Sequence, residues 1–424
     1  MLFFKEGACL LVVLLLSTCA TLPFHGGERA SRDAVLENMN KGLSEHYNKE
    51  FTKSNNDLTK AEDRIDVLYT RSISRETASL MINDYTIPYR GEDFENIMIN
   101  LFMALNYVFM GDWNNALVEA RKVDHKLNLI NEPYLNNKNR YGEDAFVRFM
   151  MGLLYESQAE INNAFISYMK AEEAYSLYQS LYGMKQVPRI LVIKLMNTAY
   201  ILGFEDRLRD YRRKYPDLKP SLSSGKATHG EVFVIHYNGL CPRKVSNSIA
   251  VILPDKYILR IAIPAFQRRS YLIKKSRIIL QVKDGDVSYQ ADSELCEDIG
   301  AIAIENLKDR IARIKAKAIA RATTKYLATK KTGQIIKKEK GEDMGQLAEF
   351  VMNIFSVISE RADTRYCDQL PDKIELAYFK VPPGKYSPHA KVFDASGSLV
   401  EIITLPELIV SPGKKSFVSF RTEK

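Results

Sequence analysis

The stretch Ala104-Leu105-Asn106-Tyr107-Val108-Phe109-Met110-Gly111-Asp112-Trp113-Asn114-Asn115-Ala116 returns 48 positions later as Gly152-Leu153-Leu154-Tyr155-Glu156-Ser157-Gln158-Ala159-Glu160-Ile161-Asn162-Asn163-Ala164. Ala104, Tyr107, Ala116 and Val123 are spaced 3, 9 and 7 apart, and Gly152, Tyr155, Ala164 and Ala171 keep those spacings. Small residues at such intervals let two antiparallel helices approach closely, and a tyrosine fills the space left between them. Gly111 suits the tight turn that ends the first helix. Working outward, the whole stretch 30–216 reads as helical, with few strand signals.

The spacing of small residues and tyrosine resembles the tetratricopeptide repeat. The better match is the unit 148–181, with Gly152, Tyr155, Ala164, Tyr168 and Ala171; the unit 97–130 keeps Ala104, Tyr107, Gly111 and Ala116 but has no aromatic between Ala116 and Val123. That repeat is about 34 residues long, so a period of 48 leaves an insertion of roughly 14, supplied by the Asn-rich stretch Ile130 to Glu143. A degenerate pair is expected from Pro188 to Tyr215, and another before the first unit, around Asn55 to Tyr69. The resemblance implies a helical solenoid of three or four units with a face for a protein or peptide partner.

The chain has 424 residues and a net charge of +8; 46% of it is apolar and 26% charged. These are ordinary globular values, and five Cys exclude a disulfide scaffold. At the N-terminus, Lys5 precedes the apolar run Leu10 to Leu16 and then small and polar residues, the layout of a signal peptide over 1–20. Leu16-Ser17-Thr18-Cys19 resembles the lipobox of bacterial lipoproteins, which implies a lipid on Cys19; cleavage after Ala20, with Cys19 discarded, is the other reading. Ala20 in place of Asp implies the outer membrane, so the chain is expected in the cell envelope, facing the periplasm. Cys241, Cys296 and Cys367 allow either one disulfide plus a thiol or three buried thiols.

The segment 217–227, rich in Ser, Gly and Pro, reads as a linker, after which the period changes to two. Strands are expected at Glu231–His236, Ser248–Leu253, Tyr257–Pro264, Arg277–Val282, Asp286–Gln290, Lys373–Phe379, His389–Phe393, Leu399–Thr404 and Lys415–Arg421. Between the two groups lies a helical interruption. Residues 308–331 hold nine basic side chains against Asp309 alone, and Ile304, Leu307, Ile311, Ile314 and Ala318 recur at helical spacing. A basic helix over about 300–331 is expected to pair with the apolar stretch Leu347 to Ile358 across a turn region at Gly333–Gly345. The expected architecture is α followed by α+β: a tetratricopeptide-like helical solenoid at 30–216, then a β-rich domain at 228–424 with an inserted helical hairpin.

Several segments together resemble a family of bacterial lipoproteins carrying tetratricopeptide-like repeats. They are Tyr89 to Glu95, Ala104 to Tyr107, Ala116 to Arg121, Gly230-Glu231-Val232, Asn238-Gly239 with Pro242 and Lys244, Asp298 to Ala303, Ala320-Arg321-Ala322, and Ala362-Asp363-Thr364-Arg365 before Leu370-Pro371. The resemblance implies a periplasm-facing lipoprotein. No GxSxG, Walker A, GxGxxG, HExxH or zinc-spaced Cys/His cluster occurs, so no catalytic residue, cofactor or metal is assigned. The expected function is an envelope adaptor acting through its helical repeats; the alternatives are an enzyme acting on cell-wall material and a module docking on an anionic membrane. Candidate interaction residues are Arg310, Arg313, Lys317, Arg321 and Lys325 on the basic helix, with Asp363 and Arg365. Export argues against nucleic acid.

Overall fold

The computed structural model describes residues 31–73, 87–131, 141–184, 186–218, 227–359 and 361–424. The expected signal peptide with Cys19, most of the expected Ile130–Glu143 insertion and residues 219–226 of the expected linker lie outside the described residues. Helices come first and strands after them. The helices form four consecutive pairs: α1 (Ala34–Tyr47) with α2 (Phe51–Ile73), α3 (Asp93–Phe109) with α4 (Trp113–Asn131), α5 (Ala145–Ser157) with α6 (Ile161–Tyr182), and α7 (Arg189–Ile201) with α8 (Glu205–Lys214). Each helix packs on the next in the chain.

All four pairs turn in the same way. Lys49, Gly111, Ala159 and Gly203 take left-handed backbone, with φ of 64°, 75°, 61° and 70°. In every pair the next helix starts two residues later. The residue after the left-handed one donates its N–H to a carbonyl five residues back: Glu50 to Glu45, Asp112 to Tyr107, Glu160 to Tyr155, Phe204 to Ala199. The left-handed residue itself bonds three back, which completes a Schellman cap. The pair expected around Asn55 to Tyr69 is instead a single helix, the second member of a pair that begins earlier, at Ala34. Its turn carries Lys49 where glycine would have been a signal.

The pairs close over small residues. A Cβ on Gly152 would lie 2.2 Å from the Tyr168 ring, and one on Gly42 would lie 2.7 Å from Leu58. Tyr168 and Leu58 each stand nine residues after their left-handed turn, so these are equivalent seams. Helices α3 and α5 are buried on nearly every face, whereas α2, α4 and α6 alternate buried and exposed positions. The second helix of each pair thus forms the outer layer and the first an inner one.

What covers the inner helices is the chain's own sheet. Strands β1 (Gly230–Asn238), β6 (Glu294–Asp298), β7 (Lys373–Val381) and β11 (Lys415–Thr422) form a sheet in the order β11-β1-β7-β6, with β1 parallel to β11 and antiparallel to β7. One face of β1 (Phe233, Ile235, Tyr237) belongs to the same apolar core as the helices. The other face (Val232, Val234) packs on a second sheet, built from β4 (Lys275–Val282), β5 (Ser288–Asp292), β8 (Gly384–Phe393), β9 (Leu399–Thr404) and β10 (Leu408–Val410). Double burial explains why Val232 to Ile235 in β1 are all apolar rather than alternating. The change from helix to strand falls at the expected linker, but the apolar core runs across it.

Strands β6 and β10, five and three residues long, had no expectation in the sequence. The hairpin β2 (Arg243–Ile252) and β3 (Ile258–Gln267) forms a separate two-stranded ribbon. Helix α9 (Ile299–Lys340) and α10 (Glu342–Ser359) form the expected helical hairpin. The basic helix, however, runs past 331 and through Gly333, and the chain turns only at Gly341, with φ of 97°. Gly333 and Gly345 are seam residues: a Cβ on Gly333 would lie 2.2 Å from Glu349, and one on Gly345 would lie 2.9 Å from the Gly333 carbonyl.

Candidate docking arm and the buried charges at its root

The candidate interaction residues separate into two groups. Arg310 and Arg365 turn inward. Arg310 reaches Glu92 at 2.6 Å, just before α3, and Lys244 at the start of β2 donates to the same carboxylate. Lys244 also donates to the Arg365 carbonyl at 3.4 Å. Arg365 forms a fork on Asp363, at 2.9 and 2.7 Å, reaches Asp33 at 2.7 Å, and lies over the Tyr89 ring. The structure thus uses the Ala362–Arg365 segment as an internal clasp. Arg321 of α9 is buried, and it borders, with Thr324, Lys325 and Ala328, a depression in the α9 surface.

Burial opposes ionisation of Glu92, but Lys244 and Arg310 outweigh it and hold its carboxyl down at about 2. Its neighbour Glu95 has no such cation. Burial, then the Glu92 charge, push the Glu95 carboxyl up to about 7. It accepts from the Tyr89 hydroxyl at 2.5 Å, the Glu92 N–H at 2.8 Å and the Cys367 N–H at 2.7 Å. Three of the eight segments that carry the lipoprotein resemblance meet here: Tyr89 to Glu95, Lys244 and Ala362 to Arg365. A second enclosed cluster joins α5 and α7 to β1 and β11. Lys194 contacts Glu156 at 3.0 Å and Glu231 at 2.5 Å, and Lys415 contacts the same two at 3.4 and 3.2 Å. These clusters hold helices to sheet, which is why their residue types look like chemistry in the sequence and act as structure in the fold.

The other group points outward. From Lys308 on, α9 leaves the body and, with α10 and the β2–β3 ribbon, makes an arm. The arm is tied within itself: Asn353 of α10 pairs with both the N–H and the carbonyl of Ile258, at 3.2 and 3.0 Å, and Lys330 contacts Asp255 in the ribbon turn at 3.0 Å and Glu349 of α10 at 2.6 Å. Arg313, Lys317, Leu327, Lys331, Ile335 and Lys338 follow one another at helical spacing along the outer side of α9, half-buried at Lys317 and exposed elsewhere. Helix α10 packs through Gly345, Ala348 and Asn353 and leaves Met344, Leu347, Phe350 and Val351 in solvent, Phe350 63% exposed. Ile249, Val251 and Ile252 of β2 are exposed as well, Ile252 by 72%.

This apolar face was missed in the sequence, where Leu347 to Ile358 reads as the side that pairs with α9. The usable signal was size: Gly345 and Ala348 sit one helical turn apart opposite Gly333, so the close seam takes the small residues and sends the large ones outward. Cys241, Cys296 and Cys367 are three free, buried thiols, and burial pushes all three thiols up. Among the described residues no group of three or more His, Cys, Asp or Glu side chains is placed to hold a metal ion, and no helix is long and apolar enough to cross a membrane. Comparison with known protein families, with curated proteins and with solved structures found no match.

Proposed function

We propose that this chain is an exported, lipid-anchored envelope protein that works as an adaptor, with its helix pairs forming a tetratricopeptide-like stack. The observation that supports this best is the fourfold recurrence of one turn, at Lys49, Gly111, Ala159 and Gly203, each followed two residues later by the next helix. Repeated pairs of this kind serve to present an extended surface to another protein. Because β1, β7 and β11 cover the inner helices, the partner surface of the stack is its outer layer, where Val67, Val118 and Ile166 are exposed on α2, α4 and α6. The anchor is the expected lipid on Cys19.

Two measurements test the reading. Metabolic labelling with a palmitate analogue should mark the wild type and not Cys19→Ala. Crosslinking in envelope extracts should recover a partner that the double variant Val118→Glu, Ile166→Glu fails to recover at equal folded yield. Equal labelling of both forms removes the anchor; recovery of the same partner by the double variant removes the outer layer as its surface.

A further inference from the structure

We propose that the arm built from β2–β3 and α9–α10 docks on an anionic lipid membrane. Three observations carry it. Residues 308–359 hold twelve Lys and Arg against five Asp and Glu, so the arm by itself is strongly cationic. The outer side of α9 alternates cations with large apolar groups, Arg313, Lys317, Leu327, Lys331, Ile335 and Lys338, over ~38 Å of helix at 1.5 Å per residue. Four large apolar residues of α10 stand in solvent beside it. Cations that meet lipid headgroups, next to side chains that enter the acyl boundary, are the requirements of an interfacial helix. An acidic protein partner would answer the charge alone and leave the α10 face in water.

The chain's own layout places the arm near a bilayer. Asp33, close to the first described residue, is held by Arg365 at the arm's root, where Lys244 and Arg310 meet on Glu92. Eleven residues lie between Cys19 and Ser31, which span ~40 Å at most. This argument from reach rests on the proposed lipid anchor, whereas the charge and the apolar face do not.

The test is sedimentation of the full chain carrying Cys19→Ala with vesicles of phosphatidylcholine alone or mixed with phosphatidylglycerol. Binding to the anionic vesicles should be strong at low salt and weaken as salt rises. The triple variant Arg313→Ser, Lys331→Ser, Lys338→Ser should lose on the order of a hundredfold in affinity, and Leu347→Ser with Phe350→Ser should also reduce it. All these positions are exposed, and unchanged thermal melts establish that the variants fold. In a Phe350→Trp variant, emission should shift to the blue on anionic vesicles. The proposal is overturned by equal binding to neutral and anionic vesicles, by undiminished binding of the triple variant, by the absence of a blue shift, or by an arm whose apolar variants change only the oligomeric state. Because Cys19 is absent throughout, a failed palmitate labelling leaves this result standing, and the reverse holds too.

Discussion

At the residue scale, two positions in one helix pair carry opposite predictions. Gly152 faces the Tyr168 ring, which sits 2.2 Å from where a Cβ would be. Gly152→Ala forces the ring or the helix to move, and overpacking of this kind costs about 1–3 kcal/mol; urea denaturation should show the loss. Ala159 holds left-handed backbone, with φ of 61°, that glycine adopts without strain. Ala159→Gly should therefore raise stability by up to ~1 kcal/mol, measured in the same way. His46 gives a pH prediction. Its Nδ1 lies 2.6 Å from the Asn106 carbonyl oxygen, and its Nε2 lies 2.9 Å from the Tyr237 hydroxyl. The Asn106 amide donates to Ser54 and Asn55, which turns its oxygen toward the ring, so Nδ1 carries the proton and Nε2 accepts. Burial, which outweighs the Asn106 hydrogen bond, lowers the imidazole to about 4. The unfolded chain then binds more protons than the folded one between about 6.5 and 4, so His46 costs stability as pH falls through that window, on the order of 3 kcal/mol in all. Glu95, raised to about 7, acts with the opposite sign: its contribution is present below about 4.5 and lost as pH rises toward 7. The two should nearly cancel in the wild type. His46→Gln, followed by urea titration at pH 7 and pH 5, should expose the Glu95 slope, with higher stability at pH 5.

At the element scale, the junctions between helices and strands are made of enclosed ion pairs. Lys244 ties β2 to the start of α3 through Glu92, and Arg310 ties α9 to the same carboxylate. Removing Lys244 leaves a buried carboxylate with half its compensation. Lys244→Met should cost roughly 3–5 kcal/mol in unfolding free energy. The double variant Lys244→Met, Glu92→Gln should recover part of that, because the buried carboxylate is gone and Arg310, which is less enclosed, keeps Asp93 at 3.9 Å. The α9–α10 seam follows another rule. Gly333 and Gly345 set the distance between the helices, so Met344, Leu347, Phe350 and Val351 of α10 have no room inside and go to solvent.

At the scale of the whole molecule, the helical and β-rich parts are not independent. Phe233, Ile235 and Tyr237 of β1 share one core with Phe102 of α3, Tyr175 of α6 and other helix side chains, and Tyr175 donates to the Cys296 carbonyl at 2.7 Å. Residues 31–218 produced alone would expose that face. They should aggregate or fail to show a cooperative melt, and co-production with residues 227–424 should restore a single transition by calorimetry.

The sequence by itself determined the local geometry. Period 3.6 and then period 2 placed the helices, most strands and the order of the two halves, because side-chain spacing decides which face of an element is apolar. The Gly111, Gly152, Tyr155 and Ala164 pattern located two helix pairs; the pair before them was expected but set too late in the chain, because its turn at Lys49 has no glycine to mark it. The basic helix was legible as charge, and its apolar neighbour as composition. Only the tertiary structure decided which charges face inward. Arg310 differs from Arg313 and Lys331 in nothing the sequence displays; it differs in having Glu92, more than 200 residues away, within hydrogen-bond reach, and Arg365 adds to its sequence neighbour Asp363 the distant Asp33. The same holds for the covered inner helices and the open face of α10. Burial is a property of what a distant segment brings to a surface, and no local period records it.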